Sequence, residues 1–232
     1  MLKKWNDLPE YMRTDAVRPY YDRLNKKRFS LAVKRGFDFM AAVCILFFLL
    51  PVLVSISLLV ALDSKGGVFF RQERVTQYGR KFMILKFRTM DVNAQKIGGQ
   101  ITLSNDKRVT RAGRILRKYR LDELPQLYNI LLGDMSFCGT RPEVPRFVRA
   151  YTKEMMATLL LPAGITSEAS IRYKDESRLL ENAKDADNVY VSQVLPGKMK
   201  YNLQSIKNFS LLGEIGTMVK TVFVVLQQIK EE

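Results

Sequence analysis

From Phe39 to Leu62 the chain carries no charged side chain, and nothing else in its 232 residues restricts the fold as strongly. A helix of that length is about 36 Å long, against a bilayer core of about 30 Å. The run starts too far into the chain, and lacks the small-residue cleavage site, to read as a secretory signal. Pro51 divides it into equal halves and removes a helix hydrogen bond. Each half is then about 18 Å of helix. Basic residues flank both ends: Lys26, Lys27, Arg28, Lys34 and Arg35 before, Lys65, Arg71 and Arg74 after. Positive charge marks the cytoplasmic side of a membrane segment. A spanning helix would export one basic flank, whereas a helix that bends at Pro51 and returns exports neither. Kinked helices also span, so on the residues alone both arrangements stay open.

The charge pattern extends the argument. Residues 1–36 hold ten basic and four acidic side chains, and residues 63–121 hold fifteen and four, so these two blocks carry more than the whole net +15 and the rest of the chain is slightly acidic. Such blocks suit an anionic partner: nucleic acid, anionic lipid head groups or a phosphorylated substrate. The chain has no histidine. That excludes a Ser-His-Asp or Cys-His catalytic set and a His-ligated zinc, and leaves acid–base work to carboxylates, Lys, Tyr or substrate groups. Two cysteines, Cys44 and Cys138, cannot build a disulfide framework and read as apolar fillers in a reducing compartment.

The chain divides into three segments: a basic, aromatic-bearing membrane-surface lead-in over 1–36, the membrane helix over 37–62, and a body over 63–232. In the last, Val68–Arg71 and Phe82–Arg88 read as two short strands, joined as a hairpin through Gln77-Tyr78-Gly79-Arg80. Alternation in the second strand groups Met83, Leu85 and Phe87 on a buried face and turns Lys86 and Arg88 to the other. Residues 92–108 are polar and loop-like. Ala112–Arg120 reads as a helix with Ile115, Leu116 and Tyr119 inward. Residues 123–132 read as another, with Leu124, Leu127, Tyr128 and Leu131 on one face and Gly133 as its stop. Leu211, Ile215, Met218, Val222, Val225 and Ile229 form an apolar stripe that reads first as core packing, with a membrane contact as the alternative. The fold class expected is α+β, with a short β-hairpin and several amphipathic helices.

The sharpest local feature is Leu121-Asp122-Glu123-Leu124-Pro125-Gln126. Proline is tolerated in the first turn of a helix, so the helix begins near Asp122, which is a natural N-cap. A cap beside a second acid favourable to the helix dipole accounts for the pair structurally. The surroundings point further, because Arg117 lies upstream and Arg141 downstream. A carboxylate among arginines at a helix start is expected to have a lowered pKa, to be ionised, and to act as a nucleophile without a base. The same cations suit an anionic phosphate. That is the setting of phosphoryl transfer, where positioning and charge neutralisation dominate. Lys86 and Arg88 are candidates for further phosphate contacts.

The chain resembles the bacterial sugar transferase family, the monotopic polyprenyl-phosphate phosphoglycosyl transferases of the small, catalytic-domain-only type. The resemblance rests on ordered blocks: Lys34-Arg35-Gly36-Phe37-Asp38 before a proline-broken apolar run, Phe70-Arg71-Gln72-Glu73-Arg74-Val75, Lys86-Phe87-Arg88-Thr89-Met90 and Asp106-Lys107-Arg108-Val109-Thr110-Arg111-Ala112-Gly113. Leu121-Asp122-Glu123-Leu124-Pro125-Gln126-Leu127, Gly133-Asp134-Met135-Ser136 and Thr140-Arg141-Pro142-Glu143 complete the series. It implies a re-entrant helix broken at Pro51, a cytoplasmic catalytic domain over 63–232, and a place on the cytoplasmic face of the bacterial inner membrane. It also implies transfer of a sugar 1-phosphate from a UDP-sugar to polyprenyl (undecaprenyl) phosphate with release of UMP, initiating cell-surface polysaccharide or glycoconjugate synthesis. Asp122 would be the nucleophile and Glu123 its partner, Arg117 and Arg141 would hold phosphates, and Mg2+ would meet the pair Asp122 and Glu123. The partners implied are the sugar donor, the lipid acceptor and membrane lipid. After Ala163-Gly164-Ile165-Thr166 the chain departs from the family's common pattern, which leaves the donor sugar open. The competing reading is a non-enzymatic, membrane-tethered basic protein that binds acidic lipid or nucleic acid. It lacks a recognisable nucleic-acid motif, and no nucleic-acid partner is expected.

Overall fold

The computed structural model describes residues 2–91, 106, 108–174 and 185–231. The polar stretch 92–108 therefore lies outside the described residues, apart from 106 and 108.

The architecture is a mixed α+β body crossed by one long helix. After α1 (Arg18–Asn25) comes α2 (Arg28–Asp63), the only described helix long and apolar enough to cross a membrane. It contains Pro51 and continues through it, so the expected interruption of the helix is not what is observed. Proline removes one N–H from the ladder, and the Ser55 hydroxyl donates to the Pro51 carbonyl at 3.0 Å in the following turn. One stripe of α2 faces the body. Ala42 and Leu46 pack with Phe82, Leu127 and Ile130, and Leu53, Ile56 and Val60 pack with Phe87, Leu116 and Leu121. Much of the rest of the run is exposed, including its middle, where Phe47 and Phe48 are 75% and 76% exposed.

Both ends of α2 are fastened to the same body. At the N-terminal end the Arg35 guanidinium donates to the carbonyls of Ile130 (2.7 Å) and Leu131 (3.1 Å), and Lys34 Nζ to that of Cys138 (3.1 Å). At the C-terminal end Asp63 accepts from the Ala112 N–H at 3.1 Å.

The hairpin is formed as expected but longer: β1 (Phe69–Val75) pairs antiparallel with β2 (Lys81–Phe87), Phe69 opposite Phe87 and Val75 opposite Lys81. The face of β2 differs from the alternation read in the sequence. Phe82 and Ile84 are buried on the face that also carries Lys86, while Met83 is half exposed. Phe87 is buried on the opposite face, against α2 and stacked on Phe69 with ring centroids 5.5 Å apart. Both faces of the strand's end are covered, so a single-sided pattern misassigns them.

Next come α3 (Arg111–Lys118), a 3-10 turn over Leu121–Glu123, α4 (Gln126–Leu132), β3 (Met135–Cys138) and α5 (Pro145–Val148). Leu116 faces inward on α3, but Ile115 and Tyr119 are exposed. On α4 Leu127 and Ile130 are buried, while Tyr128 is exposed. Gly133 ends α4 at φ 83°, as expected of a stop residue. β4 (Ala163–Thr166) pairs parallel with β3, and a side chain on Gly164 would meet the Gly139 backbone at 2.2 Å. Then α6 (Glu168–Arg172), α7 (Ala186–Val189), α8 (Leu195–Lys207) and α9 (Leu211–Glu231) complete the chain.

The N-terminal segment is not a separate surface lead-in. Leu2, Leu8, Met12, Val17, Tyr20, Tyr21 and Leu24 are buried in the largest core cluster with Tyr151, Leu160, Met199 and Phe209. Of its aromatics, Tyr20 and Tyr21 are core residues and Trp5 packs against them, whereas Tyr11 is exposed; Tyr20 donates to Glu154 at 2.5 Å.

Candidate active site

The carboxylate pair lies on the 3-10 turn between α3 and α4. Arg120 precedes it in the left-handed region, at φ 56°. A non-glycine residue there costs of order 1–2 kcal/mol and persists only where the surroundings impose it. Asp122 is thus inside a turn rather than capping a helix as the sequence suggested, and no side-chain cap bond is made there. Both Asp122 and Glu123 are buried.

The two carboxylates differ in their partners. Glu123 is clamped: Lys86 Nζ lies 2.8 Å from its Oε1, and Arg141 donates from Nη2 to Oε1 and from Nη1 to Oε2. Burial works against the charge on Glu123. Arg141 and Lys86 outweigh it and hold the carboxyl well below the usual glutamate range. Asp122 makes no hydrogen bond or ion pair among the described residues. Burial raises its pKa and the Glu123 charge adds to that, while Lys86, Arg117 and Arg120 pull the other way. The expectation of a lowered Asp122 pKa is therefore corrected in direction: desolvation, with the Glu123 charge beside it, exceeds the attraction of Lys86, Arg117 and Arg120, the first of which is already paired with Glu123.

Each cation is placed by a separate element. Lys86 is on the β2 face that points to α4, and burial lowers its pKa against the pull of Glu123. Asn129 on α4 fixes that strand by accepting from the Leu85 N–H at 3.0 Å and donating to the Met83 carbonyl at 2.9 Å, as a third strand would. Arg141 follows β3. Its loop is held by Arg74, which donates to the Pro142 carbonyl at 3.1 Å, and by the Val75 N–H, which donates to the Glu143 carbonyl at 2.9 Å. Glu143 is itself buried, accepts from the Tyr190 hydroxyl and lies 3.6 Å from Lys198. Arg117 comes from α3 and donates to Thr89 Oγ1 at 2.8 Å. That approach requires Gly113, where a Cβ would fall 2.2 Å from the Thr89 carbonyl oxygen. Asp106, paired with Arg108 at 2.6 Å, adds negative charge near Arg117.

Lys86, Arg117 and Arg141 are thus brought to the carboxylate pair. Arg88 is not used in this way. It is buried, and its guanidinium donates to the carbonyls of Ser64 (2.6 Å), Lys65 (2.7 Å) and Val60 (3.4 Å). Those groups end α2, so Arg88 closes the C-terminus of the apolar helix, where carbonyls lack intrahelical partners. Sequence reading also assigned no role at the site to Thr89, Arg120, Asn129 or Glu143, and read Arg74 only as a basic flank of the apolar run. Only tertiary contacts distinguish them from surface polar residues, although several lie in the ordered blocks.

Magnesium is held through one or two carboxylates together with substrate phosphates. Asp122, buried and without a competing cation pair, fits that habit, whereas both Glu123 oxygens already face cations. No cluster of three or more potential ligands exists among the described residues. The donor set thus fits an ion that arrives with a diphosphate better than one held by both acids.

A cavity of about 340 Å3 adjoins residues 138–140, just before Arg141. Cys138, Gly139 and Thr140 form one wall, and Ser167, Arg172 and Tyr201 are among the others. It occupies the region where the sequence departs from the family pattern.

This geometry places a carboxylate pair among cations beside an apolar helix, and comparison with known proteins gives it a context. The bacterial sugar transferase family matches residues 29–228. The chain is 36% identical over 197 residues to the UDP-N-acetylgalactosamine-undecaprenyl-phosphate N-acetylgalactosaminephosphotransferase of Aeromonas hydrophila, covering 84% of this chain and 44% of that protein. It is 35% identical over 196 residues to the UDP-glucose:undecaprenyl-phosphate glucose-1-phosphate transferase of Escherichia coli, covering 82% and 39%. With the undecaprenyl-phosphate galactose phosphotransferase of Salmonella typhimurium it shares 30% over 217 residues, covering 87% and 42%. The chain spans less than half the length of these three relatives, whose names give three different sugars. The match over most of the chain, together with the placement of its motif residues around one site, shows that this protein belongs to the bacterial sugar transferase family.

Proposed function

We propose that the protein transfers a sugar 1-phosphate from a UDP-sugar to undecaprenyl phosphate on the cytoplasmic face of the bacterial inner membrane, releasing UMP, through a covalent intermediate on Asp122. The observation that carries this reading is the division of labour in the pair: Glu123 is clamped by Lys86 and Arg141, and Asp122 is left unengaged. Asp122 Oδ attacks the sugar-linked phosphorus. The new O–P bond forms as the bond to UMP breaks, and UMP leaves with the electron pair. Lys86, Arg117 and Arg141 neutralise charge on the phosphates, which is most of what this chemistry asks of a protein. Glu123 fixes Lys86 and Arg141 in place. A phosphate oxygen of the lipid then attacks the same phosphorus, the O–P bond to Asp122 breaks, and the carboxylate is restored. Magnesium, bound through Asp122 and the diphosphate, would neutralise charge on the departing UMP.

The membrane arrangement belongs to the same reading. A helix that crossed the bilayer away from the body would carry one end out of its reach, but both ends of α2 are fastened to it. The exposed middle around Phe47, Phe48 and Pro51 is then the part that dips into lipid, as a re-entrant element whose two basic flanks stay on one side.

The test is a single-turnover experiment. With UDP-sugar alone, the enzyme should release up to one equivalent of UMP and gain the mass of a sugar phosphate on the peptide containing Asp122. Asp122→Asn should abolish both. UMP release only after lipid addition, with no adduct, would instead indicate direct transfer in a ternary complex. A panel of UDP-sugars in the same assay identifies the donor.

A further inference from the structure

The Arg141 side chain is partly exposed, so its aim depends on the loop that carries it. Two residues on, Glu143 enters a polar cluster whose three members are all buried. The Tyr190 hydroxyl donates to Glu143 Oε1, and Lys198 Nζ donates to that hydroxyl at 2.9 Å and lies 3.6 Å from the same carboxylate oxygen. Tyr190 is fixed in turn. Its ring packs on Phe147 with centroids 4.6 Å apart and lies under Lys198 Nζ at 5.0 Å. Its carbonyl accepts from the Leu195 N–H, five residues on, in a π-helical turn over Tyr190–Val194 that leads into α8. Pro196 stands in the first turn of α8. Having no N–H, it cannot close an α-helical bond to the Ser192 carbonyl, which favours the wider turn. Such turns are rare and recur at functional sites. A buried acid–lysine pair adds little net stability, because desolvation offsets most of the Coulombic gain. What this cluster fixes is position. Arg74 ties it to the site by donating to the Pro142 carbonyl at 3.1 Å, between Arg141 and Glu143. Burial lowers the Arg74 pKa, Glu143 opposes that most, Arg141 adds to it, and Tyr190 and Glu123 oppose it. Arg74 thus feels Glu143 of the cluster and Glu123 of the site at once.

We infer that Tyr190 and Lys198 are positioning residues: through Glu143 they set the loop on which Arg141 meets Glu123 and the substrate phosphates. The inference rests on the use of Arg141 proposed above, and it assigns the aim of that side chain to a segment that begins 47 residues beyond Glu143. The connection is short. Only Pro142 separates Arg141 from Glu143, and its ring fixes one backbone dihedral. The backbone of the loop is held to β1, by Arg74 at the Pro142 carbonyl and by the Val75 N–H at the Glu143 carbonyl. The Glu143 carboxylate supplies the second attachment, to α8 and the turn before it. Lys198 and Tyr190 also satisfy that carboxylate. Without them Glu143 would draw its charge balance from Arg74, the same side chain that holds the Pro142 carbonyl, and the loop would lose both attachments together. Arg141 would then turn away from Glu123 while every group of the carboxylate pair stayed in place.

The test is a double-mutant cycle on the full chain in nanodiscs, using the UDP-sugar that the donor panel identifies, with UDP as the binding probe. Tyr190→Phe removes only the hydroxyl and keeps the ring on Phe147, and Lys198→Met keeps the length of the side chain. Each should raise KM, weaken UDP binding and lower kcat/KM about tenfold, less than the roughly hundredfold that a full misplacement of a reacting group costs. In an Arg141→Ala background neither should cause a further loss. Where that background turns over too slowly, the cycle is read in UDP affinity by calorimetry. A merely structural role would lower the active fraction, and with it kcat, while KM and UDP affinity stayed unchanged. That pattern would overturn the inference, as would losses that add in full to those of Arg141→Ala, or full activity in both single variants. If Lys198→Met does not fold, Tyr190→Phe decides alone. If Arg141→Ala itself leaves kcat/KM and UDP affinity unchanged, the proposed use of Arg141 fails and the inference with it. If Arg141→Ala is impaired and the cycle shows no coupling, only the role of Tyr190 and Lys198 fails.

Discussion

Asp122 and Glu123 are adjacent, both buried and both acidic, yet removing their charges should move stability in opposite directions. Glu123 has a depressed pKa, so its contribution is present above the unfolded-state pKa and is lost only as pH falls through the folded value, well below the ordinary range. Asp122 has a raised pKa, so its favourable contribution exists below the unfolded-state value and is lost as pH rises through the folded value. At neutral pH ionised Asp122 is thus a cost that Asn does not carry. Asp122→Asn should raise the melting temperature while abolishing activity. Glu123→Gln strands Lys86 and Arg141 and should cost roughly 3 kcal/mol, the lower end for a broken buried pair, because the Arg141 side chain is 32% exposed. Thermal melts of the two variants in one detergent check the signs. The acid limb of the UMP burst should follow the Asp122 carboxyl and fall away at a higher pH than an ordinary aspartate would give. A burst unchanged down to the ordinary range would remove Asp122 from that role. Gln126 offers a contrasting case: it is fully buried and neither side-chain polar atom has a partner among the described residues. An unpaired buried amide costs about 1–3 kcal/mol, so Gln126→Met should stabilise the fold in the same melts.

At the scale of elements, the end of α2 and the end of β2 depend on each other through Arg88. Its bonds to the Val60, Ser64 and Lys65 carbonyls satisfy the C-terminus of an apolar helix that has few other partners there. Hydrogen bonds to a charged group are worth about 1.5–3 kcal/mol each. Arg88→Ala should lower stability by at least that much, while the enzyme that remains folded keeps its KM for the UDP-sugar. A rise in KM without loss of stability would return Arg88 to the phosphate site. Lys86, two residues earlier on the same strand, should behave in the reverse manner, because its charge serves Glu123 rather than a helix end. The strand's periodicity cannot separate the two. It places both on one face, and the difference comes from what lies beyond that face at each level.

For the whole molecule, the consequence of fastening both ends of α2 to one body is topological. Cysteines placed near the N-terminus and near the C-terminus should both be shielded from an impermeant thiol reagent in intact cells. Labelling at the N-terminal site alone would indicate a spanning helix. The buried N-terminal segment strengthens the expectation, since Leu2, Leu8 and Met12 share a core with Met199 and Phe209 and could be exported only by dismantling it.

The elements with local causes were readable in the chain. These are the apolar run with its central proline, the hairpin around Tyr78-Gly79, the stop at Gly133 and the motif around Asp122, because periodicity, turn chemistry and composition act over a few residues. The identity of the site cluster was largely readable as well: Lys86, Arg117 and Arg141 do gather at Asp122 and Glu123. What could not be read was which cation pairs with which acid, that Arg88 serves a helix end, that the first 25 residues belong to the core, and which side of α9 faces out. Each of these depends on groups more than 15 residues apart in sequence: Lys86 and Arg141 on Glu123, Arg88 on Ser64, Tyr20 on Glu154, Thr221 on Thr166. Desolvation depends on them too. A sequence displays the charges around Asp122 but not the burial that raises its pKa, since burial is a property of everything packed around a residue and exists only once the chain has folded.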